Sequence, residues 1–346
     1  MSRIPETQRQ TGTASEPHVV ASAEGVTFSL LMAAYGAAEH IGPAIQSVLN
    51  QTRADWELIV VDDHSPDGLG QCVAPFRTDP RIGYVRLATN GGPAAARNVA
   101  AAMARGQYFV IFDADDLLEP NFLERTLRAL DAGADLVATC AVRFYEDGVA
   151  RVQANDPPPL DTSDRERAFL QILRGPFFYN GLTFRRATFE DTGGFNESLR
   201  LAEDLDLWLR AAAGGCSVST IHEPIYRYRV QGSSLSRGGN EQTAAFAASE
   251  LRILKSLART IPMTYDRHKA LSEHARRPRS SLHLARARLA LRSRDRLALR
   301  REALRLMRVR PSARAAAMAI GGYLPPAVIE AMERVYVATK ARRKTA

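Results

Sequence analysis

The sequence predicts an α/β protein, a doubly wound and mainly parallel sheet followed by a helical C-terminal appendage. Three observations carry this expectation. Strand-length apolar runs alternate with helix-period segments from Phe28 to Cys140, the pattern of right-handed crossovers onto a covered parallel sheet. Two of those runs stop abruptly at carboxylates, Asp62-Asp63 and Asp113-Ala114-Asp115-Asp116, at the strand ends where open α/β sheets place their ligands. Beyond Asn240 the chain turns Ala-, Leu- and Arg-rich.

Taken in order, Phe28–Ala34 is apolar but for Ser29 and reads as a buried strand that ends at Tyr35-Gly36. Ile41, Ile45, Val48 and Leu49 then recur at helical spacing. Trp56–Val61 is the second strand and runs into the turn-rich string Asp62-Asp63-His64-Ser65-Pro66-Asp67-Gly68. Ile82–Leu87 is a shorter, more polar third strand. Gly91-Gly92-Pro93 opens an Ala-rich helix that closes at Gly106, with proline at the first helical position and glycine past the end. Tyr108–Phe112 is the next strand.

Further on, the sequence predicts a helix over Phe122–Leu130, a strand over Leu136–Cys140 and a loop at Asp156-Pro-Pro-Pro. A helix follows over Leu201–Ala213, then two short strands, Ser217–Ile221 and Ile225–Tyr228. The helical region is expected to break near Pro262, Pro278, Pro311 and Pro325. These readings divide the chain into a leader (1–25), an α/β domain (26–238) and a basic helical region (239–346).

Composition excludes several classes. The 346 residues are 45% hydrophobic and 24% charged, ordinary for a globular chain. Cys72, Cys140 and Cys216 are scattered and odd in number, which argues against a disulfide framework or a zinc site. No run approaches the length of a membrane span, and the polar first 25 residues lack the apolar stretch of a secretory signal. The expectation is a disordered leader and a cytoplasmic protein.

Charge is divided sharply along the chain. From residue 241 onward there are 24 Lys+Arg against 8 Asp+Glu, whereas the preceding residues carry 22 against 30. Three readings of the basic region stand. It is a helical appendage with solvated arginines, or it meets an anionic membrane surface, or it binds nucleic acid. The last has electrostatic support alone, without a reader motif or a stacking platform.

Asp113 and Asp115 are hard oxygen donors one residue apart on a rigid edge, suited to a divalent cation that also holds a diphosphate. An isolated Asp-x-Asp is more often a solvated turn, so the surrounding segments decide. In order they read "ELIVVDDHSPDG", "RLATNGGPAAARN", "YFVIFDADD", "FEDTGGFNESL" and "AEDLDLWLR". Together with the first strand ending in Tyr35, they resemble glycosyltransferase family 2, inverting nucleotide-sugar transferases of the GT-A fold. The resemblance spans roughly residues 26–236.

That resemblance implies roles. Asp63 matches the carboxylate that accepts a hydrogen bond from the nucleotide base; a plain turn cap is the alternative. Tyr35 stands where an aromatic face can stack on the base, or is an ordinary rim residue. Arg97 and Asn98 lie one turn into the helix opened by Gly91-Gly92-Pro93, whose free amides and positive end favour a diphosphate. Equally, Arg97 can pair with an acidic neighbour. Asp115 would hold Mn²⁺ or Mg²⁺ against both phosphates, Asp113 would contact the ribose or a metal-bound water, and Asp116 would orient the loop.

In Glu203-Asp204, Asp204 aligns with the catalytic base that takes the acceptor hydroxyl's proton. The alternative is that these acids complement a helix dipole.

Two departures qualify the match. Gln231 stands where relatives often carry a histidine, so either Gln231 and Arg229 substitute for it or the contact is absent. The Gln-x-x-Arg-Trp signature of processive synthases is missing.

The implied activity is transfer of a single sugar from a nucleoside-diphosphate sugar, a UDP-sugar first, to a glycan or lipid-linked acceptor. The alternatives are a sugar-1-phosphate nucleotidyltransferase, for which "AAYGAAEH" is a poor phosphate loop, and a non-catalytic nucleotide-sugar binder.

Overall fold

In the computed structural model, the described residues are 25–145, 153–155, 160, 164–174, 180–230 and 239–321. The leader through residue 24, the Asp156 loop through Pro159, Gln231 and the expected break at Pro325 lie outside them.

The chain begins with strand β1 (Phe28–Ala34), helix α1 (Ala38–Leu49) and β2 (Trp56–Asp62). Helix α2 (Leu69–Val73), a 3₁₀ turn (Ala74–Thr78) and β3 (Ile82–Arg86) follow. Next come α3 (Pro93–Met103), β4 (Tyr108–Asp113), β5 (Leu117–Leu118), α4 (Phe122–Asp131), β6 (Leu136–Tyr145) and β7 (Gln153–Asn155). The middle of the chain forms α5 (Arg165–Arg174), β8 (Asn180–Arg185), α6 (Arg186–Asp191), α7 (Glu203–Ala213) and β9 (Val218–Val230). Four helices complete the described chain: α8 (Asn240–Thr260), α9 (Tyr265–Arg292), α10 (Arg296–Val309) and α11 (Ala313–Gly321).

One sheet runs in the order β3-β2-β1-β4-β8-β6-β9-β5, with β7 on β6. The first four strands are parallel, with Phe28 level with both Trp56 and Tyr108. Strand β8 then joins β4 antiparallel, and β6 joins β8 in the same sense. The parallel quartet is what the alternating sequence pattern demanded, and the crossovers α1 and α3 cover its two faces.

Alternation along the strands assigns each face. Phe28, Leu30, Met32, Leu58, Val60, Val110 and Phe112 enter one core with Ile41, Ile45 and Val48 of α1 and Phe122 of α4. On the opposite face the Ser29 hydroxyl donates to Glu57 (2.6 Å), which also accepts from the Arg105 amide (2.6 Å) and guanidinium (2.9 Å). A buried carboxylate is tolerated there because its lone pairs are filled.

Three sequence expectations shift. The two expected strands form one continuous strand, β9 (Val218–Val230), because His222, Glu223 and Pro224 face solvent, where a missing proline donor costs little. Helix α9 runs through Pro278 instead of breaking. Ala270, His274, Pro278 and Leu282 form one buried stripe four residues apart, and packing offsets the roughly 3 kcal/mol that an interior proline costs a helix. Finally, α7 starts at Glu203 rather than Leu201, because Ala202 takes a left-handed backbone (φ 61°).

The chain divides into two compact units, each with its own packing. One holds the sheet with α1–α4 and α6. The other gathers α8–α11 together with α5 and the part of α7 that begins at Asp204. In the helical unit, Ala287, Ala290, Leu291, Leu299, Ala303 and Met318 pack as a core. The His274 ring lies between the Leu173 carbonyl oxygen (2.8 Å) and Glu250 (3.0 Å).

Candidate active site

The parallel strands deliver their carboxyl ends to one edge of the sheet, and the acids stand on that edge because each apolar run stops there. At the end of β1, Tyr35 is 57% exposed. Gly36 follows with φ 63°, a conformation glycine adopts without strain. The Gly36 amide donates to the Ser65 hydroxyl (2.8 Å) and the Ala38 amide to Asp67 (2.9 Å). The loop after β1 is thereby tied to the turn after β2.

The two aspartates closing β2 do different jobs. Asp62 is buried and accepts from the Ser65 amide (2.7 Å), the Tyr84 hydroxyl (2.7 Å) and Arg86 (2.6 Å). Burial and this carboxylate push the Tyr84 phenol up to about 12. Asp63, also buried, accepts from the amides of Gly91 (2.6 Å) and Gly92 (2.8 Å). Of the amides expected to be free at the start of α3, that of Gly92 is therefore engaged by Asp63. Gly92 sits at φ 89°, a conformation that favours glycine, and the Arg200 side chain lies over it.

Arg97 and Asn98 follow one turn into α3. Asn98 accepts from the Phe195 amide (2.9 Å) and donates to its carbonyl oxygen (3.0 Å), which fixes the Gly193-Gly194-Phe195 loop. Arg97 is buried and forks. One terminal nitrogen donates to Glu203 (2.5 Å), the other to Asp113 (2.6 Å), and the guanidinium lies 5.4 Å from the Phe195 ring centroid. Of the two roles open to it in the sequence, the structure displays pairing with acids, and those acids are members of the two candidate motifs.

Asp113 ends β4 half-exposed, and the chain turns sharply, with the Asp116 amide donating back to the Asp113 carbonyl oxygen (3.3 Å). Asp116 is fully buried and accepts from the Tyr226 hydroxyl and the Arg229 amide, both at 2.7 Å. The Arg229 Nε donates to the Asp115 carbonyl oxygen (2.7 Å) while its guanidinium stacks over Phe144 at 4.5 Å. Asp116 thus orients the loop from beneath. Burial and the charge of Asp113 push the Asp115 carboxyl up to about 6, with Arg229 and Arg97 opposing.

Glu203 and Asp204 open α7. Glu203 is buried against Arg97; Asp204 is exposed, and one of its oxygens accepts from the Leu205 amide (2.7 Å). Ala202 before them and His64 after Asp63 both have positive φ. Non-glycine residues in this region are uncommon and cluster at functional sites. Sequence reasoning gave Tyr226 no role, named Phe195 only within the Gly193-Gly194-Phe195 segment, and named Arg229 only as a substitute for a histidine. The aromatic–arginine run "YRYR" was the available signal.

The donor set can be tested for a divalent cation. Among the described residues no cluster of three or more His, Cys, Asp or Glu side chains is assembled. A pair is present, Asp113 and Asp115, and Mg²⁺ or Mn²⁺ sites that share substrate phosphates need one or two carboxylates. In number and donor chemistry these residues fit such an ion.

Residues 29–193 match the model of Glycosyl transferase family 2. The succinoglycan biosynthesis protein ExoO of Rhizobium meliloti is 31% identical over 236 residues, 64% of this chain and 65% of that protein. TuaG of Bacillus subtilis, a protein named for teichuronic acid biosynthesis, is 30% identical over 60% of this chain and 81% of its own length. The chain belongs to glycosyltransferase family 2, a family of sugar-transferring enzymes. It spans just under two thirds of ExoO.

Among solved structures, Staphylococcus aureus TarS (residues 1–349) in complex with UDP-GlcNAc superposes with a TM-score of 0.54 at 20% identity, covering 89% of this chain and 92% of that one. The mannosyltransferase PcManGT of Pyrobaculum calidifontis, in complex with GDP-Man and Mn²⁺, gives 0.59 at 22% identity over 92% and 82%. These likenesses establish the GT-A fold.

Proposed function

We propose that this protein transfers a single sugar from a nucleoside-diphosphate sugar, UDP-linked in the first instance, to a hydroxyl of a glycan or lipid-linked acceptor, with inversion. The observation that carries this reading is the Arg97 fork. Asp113 and Glu203 are far apart in sequence, yet one buried guanidinium holds both, and Asp204 is the next residue along the chain.

In this reading Tyr35 and Asp63 meet the nucleoside. Asp63 gives one lone pair on each oxygen to a glycine amide and keeps others for a base N–H. Asp113 and Asp115 hold Mn²⁺ or Mg²⁺. When bound, the cation supplies positive charge against the departing diphosphate. Asp204, on an exposed first turn of α7, takes the proton from the acceptor hydroxyl. Arg97 sets the positions of Asp113 and Glu203. A cytoplasmic setting, with the acceptor presented at the inner face of an envelope membrane, suits relatives named for succinoglycan and teichuronic acid biosynthesis.

The test is a thermal-shift and turnover screen of nucleotide-sugars with and without Mn²⁺. A donor at about 100 times its Kd adds about 2.7 kcal/mol of stability. For the native chain the shift should need Mn²⁺, and Asp115→Ala should lose the metal-dependent part together with most turnover. Full turnover by Asp115→Ala in chelator overturns the metal assignment. Donor binding without turnover for any acceptor favours the non-catalytic binder.

A further inference from the structure

One face of α10 combines features that the transfer reaction does not use. Leu299, Glu302, Ala303 and Leu306 turn inward, so the helix is pinned and its opposite side has a defined orientation. On that outer side Leu297 is 82% exposed and Leu304 is 43% exposed. They share a shallow concavity with Arg300, Arg301, Arg305 and Arg308. Arg301 and Arg305 continue into a larger open concavity of about 890 Å³ that also takes in Arg286 and Arg292 of α9.

The acids of this surface lie along the larger concavity, and of them Glu302 is buried. Asp295 caps α10 by accepting from the Ala298 amide (2.9 Å). Glu302 is buried and accepts from His283 (2.8 Å) and Arg305 (2.9 Å). Glu241 is the remaining acid on the lining. The concavity around Leu297 and Leu304 is itself lined by leucine and arginine, with no acid.

We infer that this α10–α9 face is a docking surface for an anionic lipid bilayer, with Leu297 and Leu304 entering the headgroup–acyl boundary and the surrounding arginines meeting lipid phosphates. Charge complementarity selects the occupant, and the leucines choose among anions. A free phosphate has no use for them, and neither concavity is lined by an aromatic side chain on which a nucleic-acid base could stack. Among the described residues no helix is long and apolar enough to cross a membrane, so the contact is peripheral, the mode of amphipathic helices lying in the interface. The inference stands apart from the assignment of the active site.

The experiment is flotation of the full chain with phosphatidylglycerol or phosphatidylcholine vesicles, at about 0.05 M and about 0.5 M salt. Recovery with phosphatidylglycerol at low salt, release at high salt and no recovery with phosphatidylcholine are expected. Arg300→Gln and Arg308→Gln should each lower partitioning about five-fold. The double variant Leu297→Ser/Leu304→Ser should lower it at least about ten-fold, with a melting temperature lowered only slightly, because Leu297 is largely exposed and Leu304 is 43% exposed. Failure to float with phosphatidylglycerol at low salt, the result if residues 322–346 cover the face, overturns the inference. So does undiminished flotation of the leucine variant. A lipid-free dimer in light scattering that the leucine variant dissociates would make the face a contact between copies of this chain, and would also overturn it.

Discussion

The two units of this chain use charge in opposite ways. In the sheet unit, carboxylates collect at strand ends, where the parallel topology leaves a shared edge. Arginines there serve them: Arg97 between Asp113 and Glu203, Arg86 on Asp62, Arg229 beneath the Asp115 loop. In the helical unit the proportions invert, and a few buried acids such as Glu302 serve many arginines. A charged group buried beside partners organises structure, whereas one on a helix surface shapes the field that a partner meets. The first unit spends its charges on geometry and the second presents them.

The sharpest way to break this contrast is at Asp204. Asp204→Asn keeps shape and hydrogen bonding but cannot take a proton. Its kcat should fall by about 10²–10⁴, with donor affinity little changed. Collapse of donor binding, with turnover per bound donor intact, would make Asp204 a binding residue.

Removing the fork should act on both structure and rate. Arg97→Met leaves Glu203 buried without its cation, and losing one partner of a buried pair costs about 3–5 kcal/mol; partial exposure of Asp113 places the expectation at the low end. Urea unfolding should show a lower midpoint at unchanged slope. Arg97→Lys should recover part of the stability and less of kcat, because an ammonium cannot reproduce the two-pronged geometry. Equal recovery of both would reduce Arg97 to a structural ion-pair residue.

Within α10, two leucines test the claim that the helix has an inner and an outer face. Leu299 is 2% exposed, and Leu299→Ala should cost about 2–5 kcal/mol. Leu297→Ala should stay within about 0.5 kcal/mol. Similar losses for both, measured by thermal or urea unfolding, would mean that the outer face is covered.

The smallest expected effect is pH-dependent. Burial raises the Glu302 carboxyl, but the hydrogen bond and charge of His283 and the charges of Arg305 and Arg286 outweigh it, holding the group below its ordinary value. A depressed folded value means that the native state binds this proton less readily than the unfolded chain. Its stabilisation is therefore present above the ordinary glutamate value and is lost as pH falls through the lower folded value. Glu302→Gln should flatten that acid limb in melts taken across it. An unchanged limb would show that other carboxylates set it.

Much of the sheet unit is legible in the sequence. The runs Phe28–Ala34, Trp56–Val61 and Tyr108–Phe112 are apolar at every step or nearly so, and such runs have few stable placements other than a covered parallel sheet. The breaks at Asp62, Asp113 and the Gly91-Gly92-Pro93 turn are local in the same sense, since residue type alone stops a strand or starts a helix. Less legible was anything settled by a distant partner. Pro278 reads as a helix breaker, and only burial along the α9 stripe lets the helix pass through it. Glu223-Pro224 reads as a strand end, and only exposure of that stretch permits β9 to continue.

The sequence by itself determined which residues stand at the sheet edge and what their chemistry can be, because strand period, turn residues and side-chain type are local properties. Tertiary structure alone decided how they are joined. It gave the Gly91 and Gly92 amides to Asp63, put Tyr226 and the Arg229 amide under Asp116, and closed one guanidinium on Asp113 and Glu203. It also turned Leu299 inward and Leu297 outward on a single helix. Such pairings depend on which surfaces the fold brings together and removes from water, and no local rule of spacing encodes that.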